Sequence, residues 1–576
     1  MREELLADAG PAIKQAAEAL LAARRPDGSW QDHLPSAAIS TATSAVALYY
    51  ADPAGSADLI RAAVTWLRDH QLPTGGWGDG PGLPATLPAT AFATAALRLL
   101  APEATGDDVR RALAWIDLRG GMAAVANPER CALHVLCLQF LALAGLYDET
   151  RIRRMPAAVA LLPRRLRQKV SFVVPVTFSW TVMQRHTWSF GPVLRAVFRL
   201  AEPRALAYFD ELLRQQGDEG GMQESPLLVS MVCFALARAG VRPDLVDRMV
   251  HYLHVTVRPD GSWAVNRDLE FSATTFVAIG LQETGYAADP RLAGTAAWIE
   301  ERQWDAPFPA TGCPPGGWAW SVASGWPNTD DTADGLMALA GFGDRAGRPA
   351  LRRGVDWLLA MQNRNGSWSC FCRDNHVALD APCAVITAHA VDALHRAGGL
   401  GPRDRPIARA VRWFARTQRP DGSLPCLWYR GSTAGTAQVL EVLGALGLGD
   451  GETARGCRRW LLDNQSPDGG WGDGEGAASS AEETAWALLG LLRSGAAPGT
   501  PAVQRGVDWL IRHRTADGLW APTLLGVYFL DLWYHDDLLA AGYVLQALGR
   551  YAQAVHRQEE AGRSTRPAVP MPRSSS

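Results

Sequence analysis

The chain has 576 residues, 48% of them apolar and 20% charged, with a formal net charge of −3. This length allows three or four domains of about 150 residues, or two large ones, with a core that needs no disulfide bonds. The small net charge excludes a global field that attracts nucleic acid, and no run approaches the ~20 apolar residues of a transmembrane helix. Trp is unusually frequent, with 22 residues against 15 Phe and 11 Tyr, and Gly reaches 56.

The two ends of the chain and its Cys residues bear on localisation. The first residues, MREELLADAG, are acidic and lack the apolar core of a signal peptide. The nine Cys residues do not pair by spacing, which favours a reducing compartment. The sequence therefore predicts a cytoplasmic protein. At the other end, the composition of residues 556–576 predicts a disordered tail.

A repeated frame runs through most of the chain. In each copy nine positions separate a first Trp from a Gly, and an aromatic residue or Leu follows two positions later. The clear copies are Trp66–Trp77, Trp357–Trp368, Trp413–Leu424, Trp460–Trp471 and Trp509–Trp520, and weaker copies end at Trp30, Trp263 and Trp318. The later copies lie roughly 50 residues apart, which corresponds to two helices and two turns per unit.

The residues of each unit predict its structure. The segment before the turn is amphipathic, as in GVDWLLAMQ (354–362), and the PDG or NG that follows is typical of a turn after a helix end. We expect Gln to bond the exposed helix carbonyls and Trp to cover the joint. An apolar helix rich in Ala and Thr follows, such as residues 479–492. No strand-like alternation persists, so we predict an all-α fold of helical hairpins closed into barrels, with most Trp residues structural.

Residues 151–201 are both basic and apolar, with ten Lys and Arg residues and no Asp or Glu. Basic residues among apolar neighbours suit an anionic membrane face, which would make the protein monotopic. They would equally suit a substrate diphosphate. A solvated basic face is the third interpretation, and the sequence leaves all three open.

Several blocks follow one another in a characteristic order. The Q-x3-G-x-W frame is complete at Gln71, Gln362 and Gln465; residues 316–339 contain GWPNTDDTADG; further blocks are residues 380–394, 479–492 and 547–551. Together they resemble the squalene-hopene cyclase and oxidosqualene cyclase superfamily of class II, protonation-initiated terpene cyclases. The resemblance spans nearly the whole chain.

The resemblance implies two α/α-barrel (toroid) domains, the first inserted into the second. Residues 25–275 would form the inserted barrel, which contains the basic segment 151–201 as an entrance. Residues 280–555 would form the catalytic barrel, joined by an N-terminal helix over residues 1–24. The oligomeric state is not indicated.

The reaction of such a family makes definite chemical demands. An isolated alkene is a very weak base, so protonating it needs a strong and well-positioned acid. A carboxylic acid in an apolar cavity stays protonated because desolvation disfavours its anion. A cationic His or a second carboxyl that shares protons can stabilise the anion as it forms. The carbocation must then be kept from water and steadied by aromatic faces.

The resemblance assigns the catalytic roles residue by residue. Asp330 corresponds to the proton-donating Asp of the family's DxDD motif, Asp331 to a partner in the proton network, and His389 to the His that hydrogen-bonds the acid. Two positions depart from the family: Asn328 replaces the first Asp of the motif, and Val385 replaces an acidic residue four before the His. Because Asn can still donate to a carboxylate, the departures affect the acidity of the proton donor and the way it regains its proton, and not which residue donates.

Aromatic residues are expected to line the cavity. By resemblance, Trp320 faces the cation just before the acidic motif, and Phe371 and Trp428 occupy two further aromatic positions. Tyr528 or Phe529 is the candidate at the C-terminal end, where the sequence LLGVYFLDLWYHDDLL departs from the family's motif. Plain core packing is the alternative for each of them.

The substrate is the least determined feature. The chain is shorter than typical triterpene cyclases of the family, and few aromatic residues remain once most Trp residues are committed to turns. These observations favour a C15–C20 prenyl diphosphate, cyclised with its diphosphate retained. The alternative is squalene, or an epoxidised or aryl-bearing polyprene. Protonation needs no cofactor, and Mg²⁺ is expected only with a diphosphate.

Four other interpretations remain open. Residues 327–331 would also form an ordinary helix N-terminus. Residues 330–334 spell the DDxxD with which class I terpene synthases hold Mg²⁺, although no second metal motif follows. The α/α-barrel is also the shape of zinc-dependent protein prenyltransferase subunits, for which Cys370, Cys372 and His376 are mis-spaced candidate ligands. A non-catalytic helical-repeat scaffold is the last alternative.

Overall fold

The computed structural model describes residues 2–564 except 81–82, 170–172, 215–220, 324, 344–347, 376, 475–476 and 529–531. The helices of the first half are α1 (Arg2–Ala23), α2 (Ala38–Ala51), α3 (Ala57–Asp69), α4 (Leu87–Leu100), α5 (Gly106–Asp117), α6 (Gly121–Val125), α7 (His134–Leu143), α8 (Arg164–Arg167), α9 (Val174–Thr187), α10 (Pro192–Leu213), α11 (Pro226–Ala239) and α12 (Pro243–Thr256). Short 3₁₀ turns lie at Glu149–Arg151, Ala157–Leu161, Pro290–Leu292 and Ala378–Asp380.

The helices of the second half are α13 (Glu270–Glu283), α14 (Thr295–Glu301), α15 (Thr329–Gly341), α16 (Pro349–Met361), α17 (Ala384–Arg396), α18 (Arg405–Thr417), α19 (Thr433–Ala445), α20 (Glu452–Asp463), α21 (Ala481–Arg493), α22 (Pro501–Arg512) and α23 (Leu539–Ser564). Strands β1 (Gly526–Tyr528) and β2 (Leu532–Tyr534) pair antiparallel. The all-α prediction is confirmed, although it did not include this short hairpin.

Six helices of the second half close into a ring, in the order α13, α15, α17, α19, α21 and α23, because each packs against the next and α23 packs back against α13. Helices α14, α16, α18, α20 and α22 pack on the outside, and α1 packs against α22 and α23 as a further outer helix. Outer helices are amphipathic: α18 buries only Ile407, Ala410, Trp413 and Phe414. The predicted closure into an α/α-barrel is therefore confirmed.

The first barrel has five inner helices. Helix α11 packs against α2 and α9, α2 packs against α4, and α4 packs against α7. Phe140 of α7 stacks on Trp180 of α9 with ring centroids 6.1 Å apart, which completes the ring. Inner helices are buried all round, as in α11, where every residue from Pro226 to Leu236 is buried.

In the three complete copies of the Q-x3-G-x-W frame, one Trp and one Gln make the joint between helices. Trp368 Nε1 donates to the carbonyl of Leu358 at 2.8 Å, and the same bond ten residues back recurs at Trp30, Trp77, Trp263, Trp471 and Trp520. Gln362 Nε2 instead donates to Gly366 O and to Pro406 O in the first turn of α18, both at 2.9 Å. The expectation that Gln bonds the helix-end carbonyl is wrong, because the indole takes that carbonyl and Gln joins its turn to the next outer helix.

The C-terminal end also differs from the expectation. Helix α23 continues through residues 556–564, which were predicted to be disordered. The segment HRQEEAGRS contains Arg, Gln, Glu and Ala, which favour helix. Residues 565–576 lie outside the described residues.

The described residues of 523–538, which contain β1 and β2 and which we call the hairpin segment, lie where the two barrels meet. Asp79 of the first barrel accepts a hydrogen bond from the amide of Trp533 at 3.1 Å, and Asp32 accepts one from Leu538 at 2.9 Å. A Cβ on Gly526 would lie 2.1 Å from the ring of Tyr534, so glycine is what lets that ring lie across the strand. The first barrel thus holds the segment that closes the end of the second.

Candidate active site

A cavity with about 790 Å³ of empty space lies at the N-terminal ends of the inner helices of the second barrel. Its wall includes Ser272 of α13, Asp330 and Asp331 of α15, Glu482 of α21 and Leu539 of α23. The hairpin segment contributes Thr523, Leu525, Gly526, Tyr534, His535 and Asp536. A space between packed helices, lined by a few polar groups among apolar and aromatic residues, is a usual location for a small-molecule site.

Asp330 of this cavity is paired with His389, which itself lines the neighbouring second cavity. His389 Nδ1 lies 2.5 Å from Asp330 Oδ1, and the Asp330 side chain is 22% exposed whereas that of His389 is 8% exposed. Burial alone would lower the pKa of His389, but the adjacent carboxylates of Asp330 and Asp334 raise it to about 10. His389 is therefore a cation that donates to the Asp330 carboxyl at neutral pH.

Replacing His389 by Asn should destabilise the protein in a pH-dependent way. Because the pKa of His389 is raised from 6.5 to about 10 on folding, its contribution is fully present below pH 6.5 and is lost as the pH rises through 10. We expect a loss of roughly 3 kcal/mol in the free energy of unfolding near pH 6, fading toward pH 10. Denaturant unfolding from pH 5 to 10.5 measures this, with exposed His556→Asn as control. A penalty independent of pH would contradict the ion pair.

Asn328 and Asp331 form a second hydrogen-bonded pair beside the acid. Asn328 caps α15, accepting from the amide of Asp331 at 3.0 Å, and its Nδ2 donates to Asp331 Oδ2 at 2.5 Å. Ser272 Oγ donates to Asp331 Oδ1 at 2.7 Å. Burial raises the pKa of Asp331 to about 7, although both donors act in the opposite direction. Asn328 therefore caps the helix and donates to Asp331 rather than to Asp330, and its part in a proton network stays a prediction.

Asp334 lies one helical turn after Asp330 on α15 and also approaches His389. Its Oδ1 is 3.9 Å from His389 Nδ1, and burial raises the pKa of this carboxyl well above its usual range. It lines a second cavity of about 470 Å³ rather than the one that contains Asp330. Among the described residues, Asp330, Asp334 and His389 are the three groups close enough to hold a metal ion. His389 Nδ1 and Asp330 Oδ1 are hydrogen-bonded directly to each other, at 2.5 Å.

Three of the predicted aromatic residues line the cavity as a connected row. The rings of Trp320 and Phe371 meet edge to face at 5.8 Å, and those of Phe371 and Trp428 at 6.0 Å. All three line the same cavity as Asp330. Such rings offer π faces to a cation in a site that excludes water. The side chain of Tyr528 and all of Phe529 lie outside the described part of the structure.

The sequence did not single out several other wall residues. Tyr429 follows Trp428 directly, and Tyr534 and His535 enter the wall from β2 and the turn after it. Glu482 belongs to a recognised block, but its carboxyl was not noted. A signal for Tyr534 was present in LDLWYHDD, whose alternation fits a strand.

Two alternative interpretations find little support. Cys370 and Cys372 are buried, and burial raises the pKa of both thiols well above the usual range. Neither belongs to a three-ligand group among the described residues, and His376 lies outside them.

The described residues of the basic segment 151–201 do not line the cavity that contains Asp330. Of the helices described, none has the length and apolar character to cross a bilayer.

Comparison with known proteins agrees with this architecture. Models of the squalene-hopene cyclase N-terminal and C-terminal domains match residues 13–176 and 271–553. The chain is 26% identical to the squalene-hopene cyclase of Alicyclobacillus acidocaldarius subsp. acidocaldarius over 632 residues, covering 95% of this chain and 98% of that one. It is 26% identical to enfumafungin synthase efuA of Hormonema carpetanum over 640 residues, covering 92% of this chain but only 47% of that longer protein.

A solved structure extends the likeness to the whole fold. The ent-copalyl diphosphate synthase from Streptomyces platensis matches with a TM-score of 0.57 at 20% identity, covering 96% of this chain and 99% of that one. The fold and the site define a two-barrel helical enzyme with a half-buried acid beside a row of aromatic rings. The chain belongs to the squalene-hopene cyclase family of class II terpene cyclases.

Proposed function

We propose that this cyclase protonates the terminal alkene of a C15–C20 prenyl diphosphate and directs its cyclisation with the diphosphate retained. The observation that supports a diphosphate is a groove next to the acid's cavity that contains three Arg side chains. Arg25, Arg258 and Arg267 line this groove together with His33, Asp268, Glu270 and Asp537, and the groove shares His535 with the cavity. An isoprenoid tail in the cavity would thus place its head group among these cations.

Arg258 is a groove cation whose hydrogen bonds, among the described residues, all go to neutral groups. Its guanidinium donates to Ser36 Oγ at 2.9 Å and to the carbonyl of Leu34. Among the described residues, Asp260, Asp537 and Asp268 act on it only from a distance. Arg267 and His33, in contrast, share Asp268 at 3.0 and 3.3 Å. A planar guanidinium matches phosphate oxygens in bidentate geometry.

Within the cavity, Asp330 is the proposed proton donor. As its proton leaves, His389⁺ and the positive N-terminal end of α15 stabilise the carboxylate that forms. The charge then moves along the isoprenoid against the faces of Trp320, Phe371 and Trp428. Asp331, neutral for part of the time at neutral pH, limits the negative charge beside the donor.

Mg²⁺ enters this proposal with the diphosphate. The groove presents the carboxylates of Asp268 and Asp537, which are hard oxygen donors of the type that Mg²⁺ takes. Bound there, the ion would neutralise part of the head-group charge. The protonation at Asp330 does not depend on it.

Substrate screening tests the proposal directly. Purified protein is incubated with farnesyl diphosphate, geranylgeranyl diphosphate, squalene and oxidosqualene, and products are analysed after phosphatase treatment. We expect cyclic products from a diphosphate, and Arg258→Gln should raise KM about tenfold or more because it removes a charged contact. Cyclisation of squalene or oxidosqualene alone would favour the alternative triterpene or meroterpenoid substrate.

We further propose that the basic segment contacts an anionic membrane surface. Leu162, Leu166, Val193 and Leu200 are 38%, 52%, 76% and 58% exposed and lie among the Arg residues of the segment. We expect co-sedimentation with phosphatidylserine vesicles at low salt, reduced several-fold in Leu166→Glu and Val193→Glu because both apolar burial and charge attraction are lost. Leu462→Glu, at a site 46% exposed on an outer helix, is the matched control. Equal sedimentation of all variants would contradict the contact.

A further inference from the structure

The cavity contains a second carboxyl on the side opposite the acid. In the ring of six inner helices, α21 lies three places from α15 in either direction, so the two face each other across the barrel. Asp330 stands in the first turn of α15 and Glu482 in the first turn of α21. Both line the same cavity.

Glu482 is held as an acceptor. Its Oε1 accepts from the amide of Thr523 at 2.9 Å, and its Oε2 accepts from Thr523 Oγ1 at 2.9 Å. The next residue, Glu483, is instead paired with Arg430 at 2.7 Å. In the part of the chain that the structure describes, no cation forms an ion pair with Glu482. The residue is 1% exposed, and burial raises the pKa of its carboxyl to about 7.

The surroundings of the two carboxyls favour opposite roles. Asp330 bonds to a cation that stabilises its anion, which suits a proton donor. Glu482 lacks such a partner, so its carboxylate gains stability when a carbocation arrives or when it takes up a proton. Two carboxyls whose environments differ in this way are the usual pattern of an acid and a base in one site.

We propose that Glu482 is the catalytic base that ends the cyclisation, which rests on the proposed protonation at Asp330. The Glu482 carboxylate takes a proton from a carbon next to the final cationic carbon. The electron pair of that C–H bond becomes the second bond of an alkene, and Glu482 becomes a carboxylic acid. The substrate gains one proton from Asp330 and gives one to Glu482, so the reaction is an isomerisation. Proton exchange with solvent then returns Asp330 to its acid form and Glu482 to its carboxylate.

Asp536 is the other carboxyl of the wall that needs consideration. It accepts from the amides of Leu538 and Leu539 at 3.2 and 3.0 Å. Burial and a hydrogen bond with the adjacent carboxyl of Asp32 raise the pKa of Asp536 well above its usual range. Asp536 thus shares its proton with a second carboxyl, whereas both oxygens of Glu482 bond to Thr523.

Product analysis tests the assignment. Glu482→Gln keeps the size of the side chain and an acceptor for Thr523 but cannot take a proton. We expect it to form the wild-type alkene at least tenfold more slowly and to release alkene isomers or water-quenched alcohols instead, whereas Glu482→Asp restores part of the native product. Glu452→Gln, in the first turn of outer helix α20, is the control. Native product from Glu482→Gln at more than half the wild-type rate, or a wild-type product that is itself an alcohol, would overturn the assignment.

A binding experiment gives a second readout that needs no turnover. The ligands are N,N-dimethylfarnesylammonium, which mimics a cation in the cavity, and the uncharged methyl ether of farnesol. We expect Glu482→Gln to weaken the ammonium about tenfold and leave the ether unchanged. Equal loss for both ligands would show a structural role only. If wild type binds neither and cyclises no isoprenoid, the proposed function fails; if it cyclises while Glu482→Gln behaves as wild type, only this assignment fails.

Discussion

Replacing Asp330 by Asn should abolish cyclisation, lowering turnover by about 10³-fold or more while the protein stays folded. The amide keeps the size of the carboxyl and a hydrogen-bonding oxygen for His389, but it has no proton acidic enough for an alkene. Positioned general acids contribute typically 10²–10⁴-fold, and the uncatalysed protonation of an alkene is slow enough that no other group in the wall would replace Asp330.

The matched comparison for this variant is Asp331→Asn. Asp331 is bonded to Asn328 and Ser272 rather than to His389, so its loss should change the acidity of the donor without removing it, at a cost of about tenfold. Cyclic products are quantified by mass spectrometry, and circular dichroism verifies folding. Cyclic products that survive in Asp330→Asn would remove Asp330 as the donor, and equal losses in the two variants would mean that the carboxyls act as one unit.

The acidic network differs from what the sequence alone implied. Asn328 and Val385 stand where the resemblance implies acidic residues, which predicted a network with less negative charge. In the structure Asp334, one turn after Asp330, supplies a buried carboxyl 3.9 Å from His389 Nδ1. Asp330 acts most strongly on the imidazolium, and Asp334 adds to its effect from a position that the DxDD comparison leaves out, because Asp334 lies one helical turn beyond the motif on the same face of α15.

The sequence predicted best what depends on local pattern. Asp330, His389, Trp320, Phe371 and Trp428 each lie within a recognisable block, and the structure brings all five together because the blocks occupy equivalent ends of inner helices. The role of each in catalysis stays a prediction.

What the sequence could not predict depends on contacts between distant segments. Among the described side chains of the hairpin, Tyr534 lies in the cavity wall, and β1 and β2 pair with Gly526 opposite Tyr534. Glu482 has an acceptor role only because Thr523, far along the chain, donates to both of its oxygens. Neither the register of the two strands nor a hydrogen bond between segments so far apart in the chain can be predicted from composition or motif spacing.

Replacing Trp368 by Ala should lower the free energy of unfolding by about 3–5 kcal/mol, because the indole is fully buried and its removal leaves a cavity in a packed joint. Trp368→Phe separates the two parts of this effect. The ring keeps most of the buried area but leaves the carbonyl of Leu358 without its donor, which costs about 1–2 kcal/mol.

The repeat offers its own controls for this prediction. Trp471 makes the same bond, to Leu461 O at 2.7 Å, so Trp471→Ala should cost a similar amount. Trp188→Ala, at a half-buried position in the first barrel whose indole donates to Glu149, should cost about 1 kcal/mol. Urea unfolding followed by tryptophan fluorescence measures all four variants. Trp368 joins two helices, because its indole donates to Leu358 O of α16 and its amide donates to Thr387 Oγ1 of α17, the helix that carries His389. A small effect of its loss on stability would mean that such joints do not hold the inner helices in place, and the 2.5 Å contact of His389 with Asp330 would need another explanation.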